Sequence, residues 1–239
     1  MKTEQRRVLV VLTVVVIGVL AALIAVMIGR RAQPPVPNGL VAYYPFDGNA
    51  KDASGNRNDG TVTGATLTRN RFGKPNSAYY FPGKGSHIAV AHSPTLAGTN
   101  AVSVAAWIKV EPGGTEQPRI AHKHVFDLAL SDVSGTPNVF FRISRLEEGS
   151  ESVTTPPLSS NQWVFLAGTY DRLSLCLYTN GVLVAQTNAS IPVETNNLPI
   201  GIGRNLESWG DSFKGCIDDV RIYNRALSEA EVQQLYQWR

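Results

Sequence analysis

The residues of this chain best equipped for chemistry are carboxylates, and two groups of them point to a cation. Residues 47–60 read DGNAKDASGNRNDG, with three aspartates and three asparagines among turn-forming neighbours. Such a stretch is either a solvated loop or the wrapping of a hard cation, which takes carboxylate, amide and carbonyl oxygens. It lacks the spacing and the terminal Glu of an EF-hand loop. The second group is Asp218-Asp219 in IDDVRIY. Strict alternation along a strand puts Asp218 on the apolar side with Val220 and Ile222, and Asp219 on the other with Arg221 and Tyr223. An ionised carboxylate on an apolar face needs a cation or hydrogen-bond donors. Asp218 is therefore either a metal ligand or a satisfied buried acid.

Catalytic spacings are scarce. Glycoside hydrolysis needs two carboxylates about 5–10 Å apart across a cleft. The nearest cluster, Glu147, Glu148 and Glu151, lies among glycine and serines that read as a flexible loop and would hold it poorly. His122 and His124 would share one face of a strand, a start for a metal site, but no third ligand accompanies them. No G-x-S-x-G elbow or phosphate-binding glycine loop occurs. Sugar recognition stacks rings on exposed aromatics and adds hydrogen bonds. Trp107 and Trp163 stand in apolar strands and read as core. Trp209 stands in the polar segment ESWGDS and, with Asn205 and Asp211, forms the expected ligand-contact set.

The elements that must position these residues are strands. Short runs rich in Val, Ile, Tyr and Phe recur between Gly, Asn, Asp and Pro, with no long amphipathic helical pattern from residue 39 to 224. Twelve candidate strands predict two facing sheets. Asn180-Gly181 predicts a type I′ hairpin over 174–187. Ser228 and Glu231 have capping-box spacing ahead of Val232, Leu235 and Tyr236, so a short helix should close the chain. Cys176 and Cys216 fall in strands: they pair if those strands are neighbours and otherwise are two buried thiols. The roughly 200 residues from 38 onward read as one domain.

Four blocks in order, GLVAYYPFDGNAKDASGNRNDG, AYYFPGKGSHIAV with VSVAAWIKV, NQWVFLAGTYD with LYTNGVLVA, and FKGCIDDVRIYNRALS, resemble the laminin-G-like, concanavalin A-like jelly-roll domains. The resemblance covers nearly everything from Gly39 onward. It implies an all-β, two-sheet antiparallel jelly-roll sandwich with its first and last strands close together. It also implies a structural calcium held by an acid-rich loop after the first strand and an acid in the last; here those positions are Asp47, Asp52, Asn56 and Asp218. Hydrolases of this fold display an E-x-D-x-x-E strand, which this chain lacks.

Ahead of this domain (38–239), residues 8–28 are 21 residues without a charge. That is long enough to cross a hydrocarbon core of about 30 Å as a transmembrane helix. Lys2, Arg6 and Arg7 precede it and Arg30 and Arg31 follow, which places residues 1–7 in the cytoplasm and the domain in the periplasm or outside the cell. The proline-rich stretch 29–37 reads as a stiff linker. Of the chain's 22 basic and 19 acidic residues, five basic residues and Glu4 lie before residue 38. The domain thus keeps 17 against 18, and no nucleic-acid partner is implied. The sequence predicts a membrane-anchored, exported, non-catalytic module that binds a glycan or a surface protein. The competing class is a subunit that self-assembles through the apolar helix, and a polysaccharide-cleaving enzyme ranks below both.

Overall fold

Alternation writes the sandwich most plainly in the strand Val102–Val110, where Val102, Val104, Ala106, Ile108 and Val110 join the buried core between two sheets. Ser103, Ala105, Trp107 and Lys109 therefore point to the outer face. The computed structural model describes residues 35–97, 101–113, 117–131, 137–147, 149–207 and 211–238. The expected membrane span at 8–28 lies outside the described residues, among which no helix is long and apolar enough to cross a membrane. Asn38–Arg239 forms one compact unit.

In chain order the strands are β1 (Leu40–Tyr44), β2 (Gly60–Thr63), β3 (Thr66–Thr68), β4 (Ala78–Pro82), β5 (His87–Val90), β6 (Val102–Val110), β7 (Arg119–Lys123), β8 (Phe126–Ser131), β9 (Asn138–Ser144), β10 (Ser150–Thr154), β11 (Trp163–Tyr170), β12 (Ser174–Thr179), β13 (Val182–Asn188), β14 (Ile200–Ile202) and β15 (Lys214–Tyr223), followed by helix α1 (Glu229–Gln237). Sheet A runs β13-β12-β11-β6-β15-β4-β3, with β1 also paired to β15; sheet B runs β10-β9-β8-β7-β14-β5-β2. All these pairings are antiparallel. The first and last strands lie side by side, as expected. Where the sheets face each other, Gly168 on β11 makes room for Phe141 on β9: a Cβ there would sit 2.2 Å from the ring.

Asn180 (φ 51°) and Gly181 (φ 79°) turn β12 into β13 with the positive φ pair of a type I′ hairpin. The Ser228 hydroxyl accepts from the Glu231 amide while the Glu231 carboxylate accepts from the Ser228 amide, closing the capping box that starts α1. Three strands go beyond the sequence expectation. β2, β3 and β10 are short and largely exposed, so an inward apolar pattern hardly marks them. Glu151 belongs to β10, a paired edge strand rather than a flexible loop.

Two expectations are corrected, for Asp218 and Trp107, and the open alternative for the cysteines is resolved. Asp219 adopts φ 57°, and the register of β15 against β6 shifts between Asp218 and Arg221. This bulge rephases the strand. Asp218 thereby faces the outside of sheet A opposite Trp107, while Val220 and Ile222 remain in the core. Trp107 is likewise no core residue between the sheets: it lies on the outer face of sheet A, stacked with Tyr236 of α1 (centroids 5.7 Å, 24°). Cys176 and Cys216 are free buried thiols. Two strands, β11 and β6, separate their own. Three strand spacings amount to about 14 Å, twice the reach of a disulfide.

Candidate functional site

The outer face of sheet B carries a cluster of charged side chains. Antiparallel register sets His122 (β7) opposite Asp127 (β8), and Asp127 opposite Arg142 (β9), so three polar residues form a row across neighbouring strands. Arg119 would face the other way in a regular strand. A register irregularity between Arg119 and Ala121 brings it to the same face as His122.

Asp127 is the hub. Its Oδ1 is hydrogen-bonded to His122 Nδ1 and lies 3.0 Å from Arg119 Nε; its Oδ2 accepts from Arg142 Nη2 and, at 3.1 Å, from Arg142 Nε. Burial pulls its carboxyl pKa up, but the His122 hydrogen bond and the charges of His122, Arg119 and Arg142 win and hold it at about 2. The hub is ionised at neutral pH.

The loop leaving β14 supplies the other carboxylates. It is closed by a bridge between Arg204 and Ser212 and shaped by the Asn205 side chain, whose Oδ1 accepts from the Glu207 amide at 2.8 Å. Glu207 Oε2 lies 2.7 Å from His124 Nδ1, and its Oε1 lies 3.4 Å from His122 Nε2. Asp211 Oδ2 lies 3.5 Å from Arg119 Nη2. His124 Nε2 faces the Leu146 carbonyl at 3.3 Å. With a carboxylate on one ring nitrogen and a carbonyl on the other, the Glu207 hydrogen bond above all raises the His124 pKa against the opposing effect of burial. Phe140 completes the face, with the Arg142 guanidinium 5.0 Å and that of Arg119 5.8 Å from its ring centroid.

Arg119, His122 and Asp127 form a buried floor, at most 8% exposed, while Arg142, Glu207, Asp211 and His124 make a rim 26–33% exposed. The rim offers a planar cationic donor and two carboxylate acceptors, held in place by the floor and by the His124 ring between Glu207 and the Leu146 carbonyl. Such an arrangement reads hydroxyl groups by paired donation and acceptance.

Of the residues predicted from sequence for ligand contact, Asn205 and Asp211 belong to this face, and Trp209 lies outside the described residues. Sequence reasoning set the His122 and His124 pair aside for want of a third ligand. It missed Asp127, Arg119, Arg142 and Glu207, which only the cross-strand register assembles.

The residues expected to hold calcium are otherwise engaged. Asp52 Oδ1 accepts from the amides of Tyr43 and Ser54, and Oδ2 accepts from the Asn58 amide and the Ser54 hydroxyl, all within 3.0 Å. Asn56 turns its amide nitrogen to the carbonyls of Val41 (3.1 Å) and Leu40 (3.3 Å). Asp47 pairs with Lys74 at 2.6 Å, and Asp218 receives Arg71 at 3.0 Å. Among the described residues, no three of His, Cys, Asp and Glu gather in a way that could hold a metal. These side chains, so committed, do not fit a calcium shell: a guanidinium stands against Asp218, and the loop acid caps backbone amides.

Residues 82–233 match the family described as the concanavalin A-like lectin/glucanases superfamily. Among solved structures, domain 4 of an extracellular arabinanase from Geobacillus stearothermophilus, determined in complex with arabinotriose, is 27% identical with a TM-score of 0.67. That match covers 83% of this chain and 98% of that one. The binding domain of Paraclostridial Mosquitocidal Protein 1 is 21% identical (TM-score 0.69; 84% of this chain, 52% of that one). The binding domain of botulinum neurotoxin serotype C1 is 14% identical (TM-score 0.64; 84% and 52%). The chain thus spans about half the length of these toxin domains, and the likeness to them is one of fold. No curated protein matches the sequence.

Proposed function

The chain belongs to the concanavalin A-like lectin/glucanases superfamily, and we propose that it is a non-catalytic module that binds carbohydrate on the outer face of sheet B. The observation that carries this reading is the charge-balanced rim of Arg142, Glu207, Asp211 and His124 standing on the buried Arg119-His122-Asp127 floor. Preorganised donors and acceptors of both kinds suit a polyhydroxylated ligand, and ordering them in advance lowers the cost of binding. The arabinanase domain supports the ligand class, since it was solved with arabinotriose and aligns over almost its whole length. The apolar run at 8–28 would hold the module at a membrane, with the domain on the exported side.

An array of neutral and acidic glycans probed with the full chain tests the reading. Binding should occur, and Arg142→Ala and Glu207→Ala should each abolish it without lowering the melting temperature by more than a few degrees. Incubation with plant and bacterial polysaccharides should release no new reducing ends. Absence of binding across the array, or binding indifferent to both substitutions, would refute it.

A further inference from the structure

Four of the seven large apolar side chains that stand exposed among the described residues lie on or beside one hairpin. Leu173, 73% exposed, leads into β12; Val182, 57% exposed, opens β13, and Leu183 and Val184 follow it. β13 is also the end of sheet A, paired on one side only, to β12. Its residues, VLVAQTN, carry no charge.

The other strands at sheet ends are blunted in the ways that prevent edge pairing. β2 and β3 have only four and three residues, and β10 exposes Glu151. The free side of β1 is taken up by the loop that follows it. There the Val41 carbonyl accepts from the side chains of Asn56 and Asn58, the Tyr43 amide donates to Asp52, and the Tyr43 carbonyl accepts from the Ala53 amide. Among the described residues no such hydrogen bonds reach the free side of β13.

The ladder between β12 and β13 is regular from Ala185 to Asn188. The Ala189 amide donates to the Leu173 carbonyl at 3.1 Å. Alternation then turns the amides of Ala185 and Thr187 toward β12 and those of Gln186 and Asn188 outward. Outward amides and carbonyls in a row are met by another extended strand, and a flank that is apolar and uncharged suits a strand of the same character.

The two ends of β13 specify which strand. Val182 stands at one end, and Leu173, bonded to Ala189, at the other. Charge is divided in the same way. Gln233 of α1 donates to the Gly181 carbonyl, so the exposed Glu229, one turn earlier, belongs to the Val182 end. The exposed Arg172 belongs to the Leu173 end, where Asp171 already accepts from the amides of Leu173 and Ser174. An antiparallel copy related by a two-fold axis turns each end toward its opposite: Val182 of one copy toward Leu173 of the other, and Glu229 toward Arg172.

We infer that β13 is a self-association edge, through which two copies of this chain pair β13 to β13, antiparallel about a two-fold axis, and join their two A sheets into one. Such a contact is isologous and occupies the edge that forms it, so it closes at two copies. A pair carries two sheet B faces, which on the function proposed above doubles the valency of the module.

Sedimentation of the full chain in a mild detergent over a wide range of protein concentration, combined with amide exchange along β13, tests the pairing. The parent should pass from monomer to dimer as concentration rises. Exchange at Gln186 and Asn188 should slow in step, while Ala185 and Thr187 stay slow throughout. Leu173→Lys and Val182→Lys should each raise the dimer dissociation constant about tenfold or more, because each substitution enters the contact twice. Melting temperatures should stay close to the parent, since both side chains are exposed. A monomer at every concentration would overturn the inference, as would exchange at Gln186 and Asn188 that ignores concentration. A dimer indifferent to both substitutions would overturn it too, and would place the contact elsewhere in the chain.

Discussion

Replacing Asp127 with Asn keeps the shape of the hub and removes its charge from among Arg119, His122 and Arg142. The carboxyl, only 4% exposed, is held at about 2 against an ordinary 3.8. At about 1.4 kcal/mol per pKa unit, the ionised form is worth about 2 kcal/mol to the fold at neutral pH. The pKa is depressed in the folded state, so this stability is fully present above the unfolded value and is lost as pH falls through the folded one. The gap between parent and Asp127→Asn should therefore be about 2 kcal/mol at pH 7, begin to close below about pH 4 and nearly vanish at about pH 2. Urea unfolding of both proteins across that range measures it, and other titrating groups cancel because both proteins contain them. A gap that stays constant with pH would show that the substitution acts through packing, and the electrostatic account of the face would fall.

Gly168→Ala should cost roughly 1–3 kcal/mol, read as a lower urea midpoint, because the new Cβ would stand 2.2 Å from the Phe141 ring across the sandwich; an unchanged midpoint would mean the sheets separate freely there. Calcium and chelator should give superimposable melting curves, since Arg71 and backbone amides already satisfy Asp218 and Asp52. A rise of several degrees with calcium that Asp218→Asn removes would contradict the metal-free reading of these residues.

Local patterns carried much of the architecture. The Asn180-Gly181 hairpin, the capping box at Ser228 and Glu231, and the inward alternation of β6 are properties of a few neighbouring residues, and each is found where its pattern predicts. The site was less legible because two bulges break alternation where charge gathers. One rephases β15, so Asp218 leaves the core side and meets Arg71; the other rephases β7, so Arg119 joins His122. Neither bulge has a glycine or proline to announce it: Asp219 takes its positive φ as an aspartate. Trp107 was misplaced for a related reason. Its apolar character fits a core, but its position in the period points outward, where α1 covers it. The hub needed a third kind of information, the pairing of β7, β8 and β9, which no single segment contains.

The most direct test is a calorimetric titration of the full chain with the strongest glycan from the array, run in parallel on Arg142→Ala and Glu207→Ala. The account predicts saturable binding by the parent that both substitutions abolish while the fold is retained. Undiminished binding by both variants, or no saturable heat from the parent, would contradict a carbohydrate site on the charged face of sheet B.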